Sequence, residues 1–164
     1  SLTKPCENVE KICKMATKKK SDLIDFIHRL NLIVSDSINY SEGSTNTSTC
    51  SKQALRQGKG VCQDFAHILI SAARFANLPA RYINGFLLED FNSGENSTHA
   101  WTEIYIKELG WVAFDPSHKK CIDQKYVRIS AGLDFLDASM IKGIKINYNG
   151  RELLESKVLI NHCQ

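Results

Sequence analysis

Apolar residues recur at helical spacing along the first part of the chain. Over residues 5–20 they form a single stripe, and between Leu23 and Val34 they return at intervals of four, three and four residues. Ser21 stands just before the second pattern, where a hydroxyl side chain can cap a helix. These spacings predict two amphipathic helices, followed by a polar loop over residues 41–51.

A third helix is predicted over residues 62–76, and its pattern differs from that of the first two. Apolar side chains cover most of its circumference, which is typical of a helix that is buried on all sides. Gly58 and Gly60 precede it. Asn77, which tolerates the left-handed conformation, and Pro79 follow it and mark its end.

After Pro79 the pattern changes to the two-residue alternation of β-strands. Strands are predicted over residues 80–88, 98–106, 110–115, 126–130 and 152–160. Helices therefore precede strands joined by short connections, an order that indicates an α+β fold with a mostly antiparallel sheet. We expect one domain over residues 1–164, in which residues 1–20 are a helical extension and the buried helix packs on the sheet.

The composition excludes several classes of protein. The chain has 21 Lys and Arg residues against 18 Asp and Glu, and a net charge of +3 is too small to indicate a nucleic-acid partner. No apolar run approaches the ~18 residues of a membrane span. The six cysteines include no Cys-x-x-Cys pair, and no Cys/His cluster has zinc-finger spacing, so no metal site is predicted.

Cys62 is a candidate nucleophile because of its position at the start of the buried helix. The unpaired N–H groups and partial positive charge of a helix N-terminus favour a thiolate over a thiol. Gly60, two residues earlier, allows a close approach of the backbone. The alternative is that Cys62 is one of six small apolar side chains that fill space.

His99 and Asp115 fall on two consecutive predicted strands, one at the start of its strand and the other at the end. A cysteine, a histidine and an aspartate in this order can act as nucleophile, base and orienting carboxylate. His67 lies too far around its helix to face Cys62 easily, by about 140°. The remaining histidines, His28, His118 and His162, lack a neighbouring pattern that suggests a role.

The proposed contact between His99 and Asp115 restricts the length of the loop between their strands. Both side chains must project from the same face of the sheet, and side chains alternate along a strand. A two-residue turn would send Asp115 to the wrong face. We therefore predict a three-residue loop, or a bulge with Gly110 at positive φ, in the connection.

Four motifs, taken in order, resemble the bacterial transglutaminase-like superfamily over roughly residues 20–160. They are Gly60-Val61-Cys62-Gln63-Asp64-Phe65-Ala66-His67, Leu78-Pro79-Ala80-Arg81-Tyr82, His99-Ala100-Trp101-Thr102-Glu103 and Gly110-Trp111-Val112-Ala113-Phe114-Asp115-Pro116-Ser117. The resemblance implies a papain-related α+β fold and a Cys62, His99, Asp115 catalytic triad. It further implies a fragment that lacks the β-rich upstream domain common in the family.

The chemistry implied by the resemblance is cysteine-dependent acyl transfer on an amide or peptide bond of a protein or peptide, through a thioester. We expect hydrolysis by a protease, amidase or deamidase, because water is always present and no amine-binding site is recognisable. Cross-linking is the less favoured outcome. A catalytically silent binding module on the same fold is the alternative. The chemistry requires no cofactor and no metal, and neither a nucleic acid nor a membrane is expected as a partner.

Several further residues are secondary candidates for the site. Trp101 and Gln63 are candidates for lining the substrate cleft or stabilising the oxyanion, although Trp101 could equally be part of the core. Glu103 shares a face with His99 and is a fallback for the orienting role. Asp64 could tune the site, but an acidic residue in a first helical turn is favourable in itself. If Cys62 is catalytic, the odd number of remaining cysteines favours the cytoplasm.

Overall fold

The computed structural model describes residues 1–17, 22–88 and 97–141, together with positions 143, 146, 149–150, 158 and 160. Its helices are α1 Glu7–Ala16, α2 Leu23–Ser37, α3 Ser51–Gln57 and α4 Cys62–Phe75. Within these ranges, no helix is long and apolar enough to cross a membrane.

The strands follow the helices in the chain, apart from two short ones. They are β1 Asn39–Tyr40, β2 Lys59–Gly60, β3 Ala80–Leu87, β4 Ser97–Ile106, β5 Gly110–Asp115, β6 Lys120–Cys121 and β7 Tyr126–Gly132. The main sheet is antiparallel, with strand order β6-β5-β4-β3-β7, while β1 and β2 form a separate parallel pair. The α+β prediction is confirmed.

The buried helix predicted from the apolar pattern is α4. All its residues from Gln63 to Ala73 are buried, and it packs against α1, α2 and α3 as well as against β3 and β4. Thr102 on β4 donates a hydrogen bond from its hydroxyl to the Ala66 carbonyl at 3.2 Å. Each fully buried aliphatic side chain contributes about 1.5–3 kcal/mol, so α4 fixes the helical layer on the sheet.

Helices α1 and α2 differ from the prediction at the C-terminal end of α1 and at the N-terminal end of α2. Asp22, rather than Ser21, caps α2, because its carboxylate accepts a hydrogen bond from the Asp25 amide at 2.7 Å. Ser21 itself lies outside the described residues. Helix α1 ends at Ala16, whose carbonyl accepts a hydrogen bond from Arg29 Nε at 2.9 Å. That side chain satisfies one of the carbonyl groups left free at a helix end.

Four short elements had no counterpart in the predicted pattern. Helix α3 spans two turns, too few for an apolar period to be recognised, and β1, β2 and β6 have two residues each. The predicted strand over residues 152–160 falls on positions that lie almost entirely outside the described residues, so it stays a prediction. The other four predicted strands are confirmed, with ends shifted by no more than two residues.

The connection between β4 and β5 has the predicted parity. Ile106 pairs with Gly110 and Glu103 with Ala113, so three residues form the loop and Gly110 has a φ of +78°. A positive φ is accessible to glycine and costly for most other residues. The side chains of His99 on β4 and Asp115 on β5 therefore project from the same face of the sheet.

Replacing Gly110 with valine is expected to lower the free energy of unfolding by about 1–3 kcal/mol, because a β-branched residue is strained at positive φ. Gly110→Asn is the matched control, since asparagine tolerates this conformation. Urea unfolding of both variants measures the difference. Equal stability of the valine variant and wild type would contradict the requirement for a positive φ at position 110.

Candidate active site

Cys62 is the first residue of α4 and is half-buried. The turn before it is held by Asp64, which is fully buried and whose carboxylate accepts hydrogen bonds from the Val61 amide at 2.9 Å and the Thr45 hydroxyl at 2.6 Å. Burial raises the pKa of Asp64 even though these hydrogen bonds oppose the shift. These contacts assign Asp64 a structural role at the helix start and link the loop at Thr45 to α4.

His99 and Asp115 meet across the β4–β5 hairpin. His99 Nε2 lies 2.7 Å from Asp115 Oδ2, and the side chains are 8% and 0% exposed respectively. Because both groups are buried in a medium of low dielectric, their mutual hydrogen bond is stronger than it would be in water. The structure thus brings these two predicted site residues into direct contact.

The Cys62 side chain lies close enough to the His99 ring to affect its pKa. Burial alone would lower the pKa of His99, but hydrogen bonds to Asp115 and Cys62, together with their negative charges, raise it to about 9. Since Nε2 faces Asp115, Nδ1 is the ring nitrogen left for the Cys62 sulfur. A cysteine, a histidine and an aspartate therefore form one connected chain of side chains.

The Asp115 carboxylate accepts hydrogen bonds from several other groups as well. Its Oδ2 accepts from the Tyr126 hydroxyl at 2.7 Å and lies 2.8 Å from His118 Nδ1. Its Oδ1 accepts from the Ser117 amide at 2.9 Å and hydroxyl at 2.6 Å. Burial favours the neutral acid, yet these donors and His99 hold the pKa of Asp115 well below its usual range.

The sequence interpretation missed His118 and Tyr126. No neighbouring pattern suggested a role for His118, yet its ring touches Asp115 and lies 5.2 Å from that of His99. The available signal was its position three residues after Asp115, beyond Pro116, where a turn brings a side chain back to the strand end. Nothing in the sequence indicated that Tyr126, at the start of β7, reaches the same carboxylate.

Two secondary candidates lie close to the site in different settings. Trp101 is fully buried, packs between His99 and Tyr126, and does not line the cavity beside His99; its Nε1 has no hydrogen-bond partner among the described residues. Gln63 donates from Nε2 to the Asn46 carbonyl at 3.3 Å, which ties it to the polar loop. Their contribution to substrate binding stays a prediction.

Glu103 does not serve as the fallback orienting residue. Arg81 binds its carboxylate through Nε and Nη2 at 2.7 and 2.6 Å, and Arg128 approaches its other oxygen at 3.4 Å. These two cations hold Glu103 farther along the sheet face, away from the His99 ring. The fallback applied only if Asp115 pointed away from His99, and the two side chains are in contact.

A cavity of about 450 Å³ opens beside the His99 ring. It is lined by Tyr40, Glu42, Leu87, Thr98, His99, Ser117 and His118. Both rings that contact Asp115 are therefore accessible from the same cavity. A small molecule or a peptide segment can reach the His99 ring from this cavity.

The His99 imidazole is expected to remain protonated at pH 7.5, where a free histidine of pKa about 6.5 is mostly neutral. Replacing Asp115 with asparagine removes the opposing charge and lowers the pKa of His99. NMR titration of the ring proton measures both values. A wild-type pKa at or below 6.5 would contradict the hydrogen-bonded charge pair.

The raised pKa of His99 also determines whether the free energy of unfolding rises or falls with pH. In Cys62→Ser, where the thiol cannot titrate, the raised pKa of His99 stabilises the fold fully below about pH 6.5. That contribution is lost as the pH rises through the folded-state pKa. The depressed pKa of Asp115 stabilises the fold above about pH 4, and this part is lost as the pH falls. Denaturant unfolding between about pH 2 and 10 tests both signs.

Comparison with known proteins identifies the family to which the chain belongs. Residues 10–116 match the sequence model of the Transglutaminase-like superfamily. An uncharacterized protein of Mycobacterium leprae is 33% identical over 128 residues, which cover 75% of this chain and 44% of that protein. The chain therefore spans less than half the length of this relative.

Solved structures share the same fold. A Cytophaga hutchinsonii protein named "Putative Cysteine Protease" superimposes with a TM-score of 0.67 at 29% identity, covering 84% of this chain and 48% of that one. LapG of Legionella pneumophila, calcium-bound, superimposes with a TM-score of 0.59 at 16% identity, covering 87% and 82%. The second likeness concerns the fold alone. With a family match over more than half of its length and the α+β architecture described above, this chain belongs to the transglutaminase-like superfamily.

Proposed function

We propose that this protein catalyses acyl transfer on amide or peptide bonds, with Cys62 as nucleophile, His99 as general base and acid, and Asp115 as the orienting residue. The observation that carries the proposal is the environment of the two nitrogens of the His99 ring. One nitrogen is bonded to a fully buried carboxylate and the other faces a cysteine at a helix start. This connected arrangement is the one required of an activated thiol.

The geometry supports a two-stage reaction. Because His99 is protonated near neutral pH, the proton of the Cys62 thiol already resides on the ring, and the Cys62 sulfur attacks the carbonyl carbon of the substrate as a thiolate. The amide C–N bond breaks, the proton passes from His99 to the leaving amine, and a thioester remains. The Cys62 amide, at the start of α4 and without a helical carbonyl partner, is positioned to stabilise the oxyanion. Asp115 keeps the ring oriented and stabilises its charged form throughout.

The second stage determines which kind of enzyme this is. Attack by water on the thioester, with His99 taking a proton, breaks the C–S bond, releases an acid and restores Cys62 and His99 to their starting states. Attack by a primary amine in place of water completes a transamidation. We favour hydrolysis of a protein or peptide substrate, because the cavity beside His99 has mostly polar walls that admit water. Mass spectrometry of a glutamine-containing peptide, incubated with and without an added amine, distinguishes the two products.

A catalytically silent binding module is the second candidate, since a fold does not determine an activity. Iodoacetamide labelling near neutral pH separates the two. Cys50 has a similar degree of exposure to Cys62 and serves as an internal reference within the same sample. We expect Cys62 to be alkylated much faster than Cys50, and its rate to fall in His99→Ala. Equal, slow labelling of both cysteines would favour the binding module.

The cytoplasm remains our proposed location. The odd number of cysteines other than Cys62 suits a reducing compartment. Cell fractionation with an antibody against the native protein tests this proposal, and recovery outside the cytoplasmic fraction would reject it.

A further inference from the structure

Two histidines converge on one oxygen of Asp115. His99 Nε2 lies 2.7 Å and His118 Nδ1 2.8 Å from Oδ2, and all three atoms lie within 4.8 Å of one another. The two rings are set at 64°, edge to face. Two imidazole nitrogens and one carboxylate oxygen are thus gathered around one small volume.

This set of donor atoms matches the ligands of zinc and similar transition-metal dications. Zinc binds imidazole nitrogen and carboxylate oxygen at about 2.0–2.2 Å, and three protein ligands with one open position is a common arrangement. Tetrahedral bonds of that length place ligand atoms roughly 3.4 Å apart. Each hydrogen bond to Oδ2 would therefore lengthen by a little over half an ångström for an ion to enter.

The surroundings allow that adjustment. The His118 side chain is 40% exposed and lies on a turn, so it can move by this amount at little cost. Asp115 is held in place by two hydroxyl groups, that of Tyr126, which donates to Oδ2 at 2.7 Å, and that of Ser117, which donates to Oδ1 at 2.6 Å. Metal-binding carboxylates are usually supported by such hydrogen bonds. The cavity lined by both histidines admits a hydrated ion from solvent.

We propose that His99, Asp115 and His118 form a binding site for a zinc-class divalent transition metal, with water at the open position. Its effect on catalysis rests on the function proposed above. An ion bound at His99 Nε2 occupies that lone pair, so the ring proton must reside on Nδ1, and Nδ1 can no longer accept the proton of Cys62. Metal binding and proton transfer from the thiol are therefore mutually exclusive, and the ion is a reversible inhibitor.

Binding is tested without any assay of activity. Zn²⁺ is titrated calorimetrically into Cys62→Ser, which removes the nearby thiol, and into the same variant with His118→Asn. Asparagine can still donate to Asp115 but is a poor metal ligand. We expect one saturable site that weakens at least tenfold, ~1.4 kcal/mol, on loss of His118. His28→Asn, the same change at an exposed histidine on α2, is expected to leave the affinity unchanged.

Co²⁺ spectroscopy identifies the ligands independently, since thiolate coordination produces strong charge-transfer absorption that histidine and carboxylate ligands lack. Absence of saturable Zn²⁺ binding, equal affinity with and without His118, or thiolate bands in the Cys62→Ser protein would each overturn the site. If Zn²⁺ binds as expected but wild-type Cys62 proves unreactive, the metal site stands and the proposed enzymatic function fails.

Discussion

Replacing Cys62 with alanine is expected to abolish turnover, a loss on the order of 10⁶-fold, because no neighbouring group can replace the nucleophile. The free energy of unfolding should change by less than about 1 kcal/mol, since Cys62 is small and half-buried. Turnover of a peptide amide and urea unfolding are measured on the same preparations. A loss of activity at constant stability would separate a chemical role from a packing role.

The control for this substitution is Cys50→Ala. Cys50 precedes α3, has a similar degree of exposure to Cys62 and lies outside the chain of side chains that ends at Asp115. Its replacement is expected to leave turnover within a factor of two or so of wild type. Retained turnover in Cys62→Ala, or an equal loss in both variants, would refute Cys62 as the nucleophile.

Removal of the Asp115 side chain is expected to have the second-largest effect. In Asp115→Ala the ring of His99 loses its orienting partner, and turnover should fall by ~10³–10⁴-fold. The buried His99 ring and the half-buried hydroxyl groups of Tyr126 and Ser117 all lose their acceptor. A buried group left without a partner costs about 1–3 kcal/mol, so this variant is expected to be less stable as well.

Two milder variants separate geometry from charge at this position. Asp115→Asn keeps a carbonyl oxygen that can accept from His99 Nε2 but carries no charge, so its turnover should lie between those of wild type and the alanine variant. Tyr126→Phe removes one donor to Oδ2 and leaves the His99 contact in place, with an expected loss of tenfold or less. Full activity in Asp115→Ala would remove Asp115 from the mechanism.

The sequence predicted the parts of this molecule that depend on short periods and local parity. The burial of α4 follows from its apolar circumference, and the three-residue connection at Gly110 follows from the alternation of side chains along β4 and β5. Both are local properties, since they involve residues within one element or one hairpin. The pairing of His99 with Asp115 could be anticipated for the same reason.

What the sequence did not predict depends on contacts between distant strands. Tyr126 reaches Asp115 because β7 returns to pair with β3, and no local pattern specifies that neighbour. The ion pairs of Glu103 with Arg81 and Arg128 were not predicted, because alternation gives the face of a side chain but not the identity of the cations beside it. The Ser117-His118 turn was missed because its backbone bends the chain back onto the strand that it leaves.

The strand order of the main sheet has a consequence for local unfolding. Strand β4, which carries His99, is central and paired on both sides, whereas β7, which begins at Tyr126, is at the edge of the sheet among the strands that the structure describes. Hydrogen-exchange protection is greatest where opening requires the whole sheet to separate, and least at edges. Edge opening at β7 would release the Tyr126 hydroxyl from Asp115 while His99 stayed in register. The hydrogen bond from Tyr126 to Asp115 is thus expected to open before His99 leaves its place in β4. Activity is therefore expected to be lost on heating before the fold is lost.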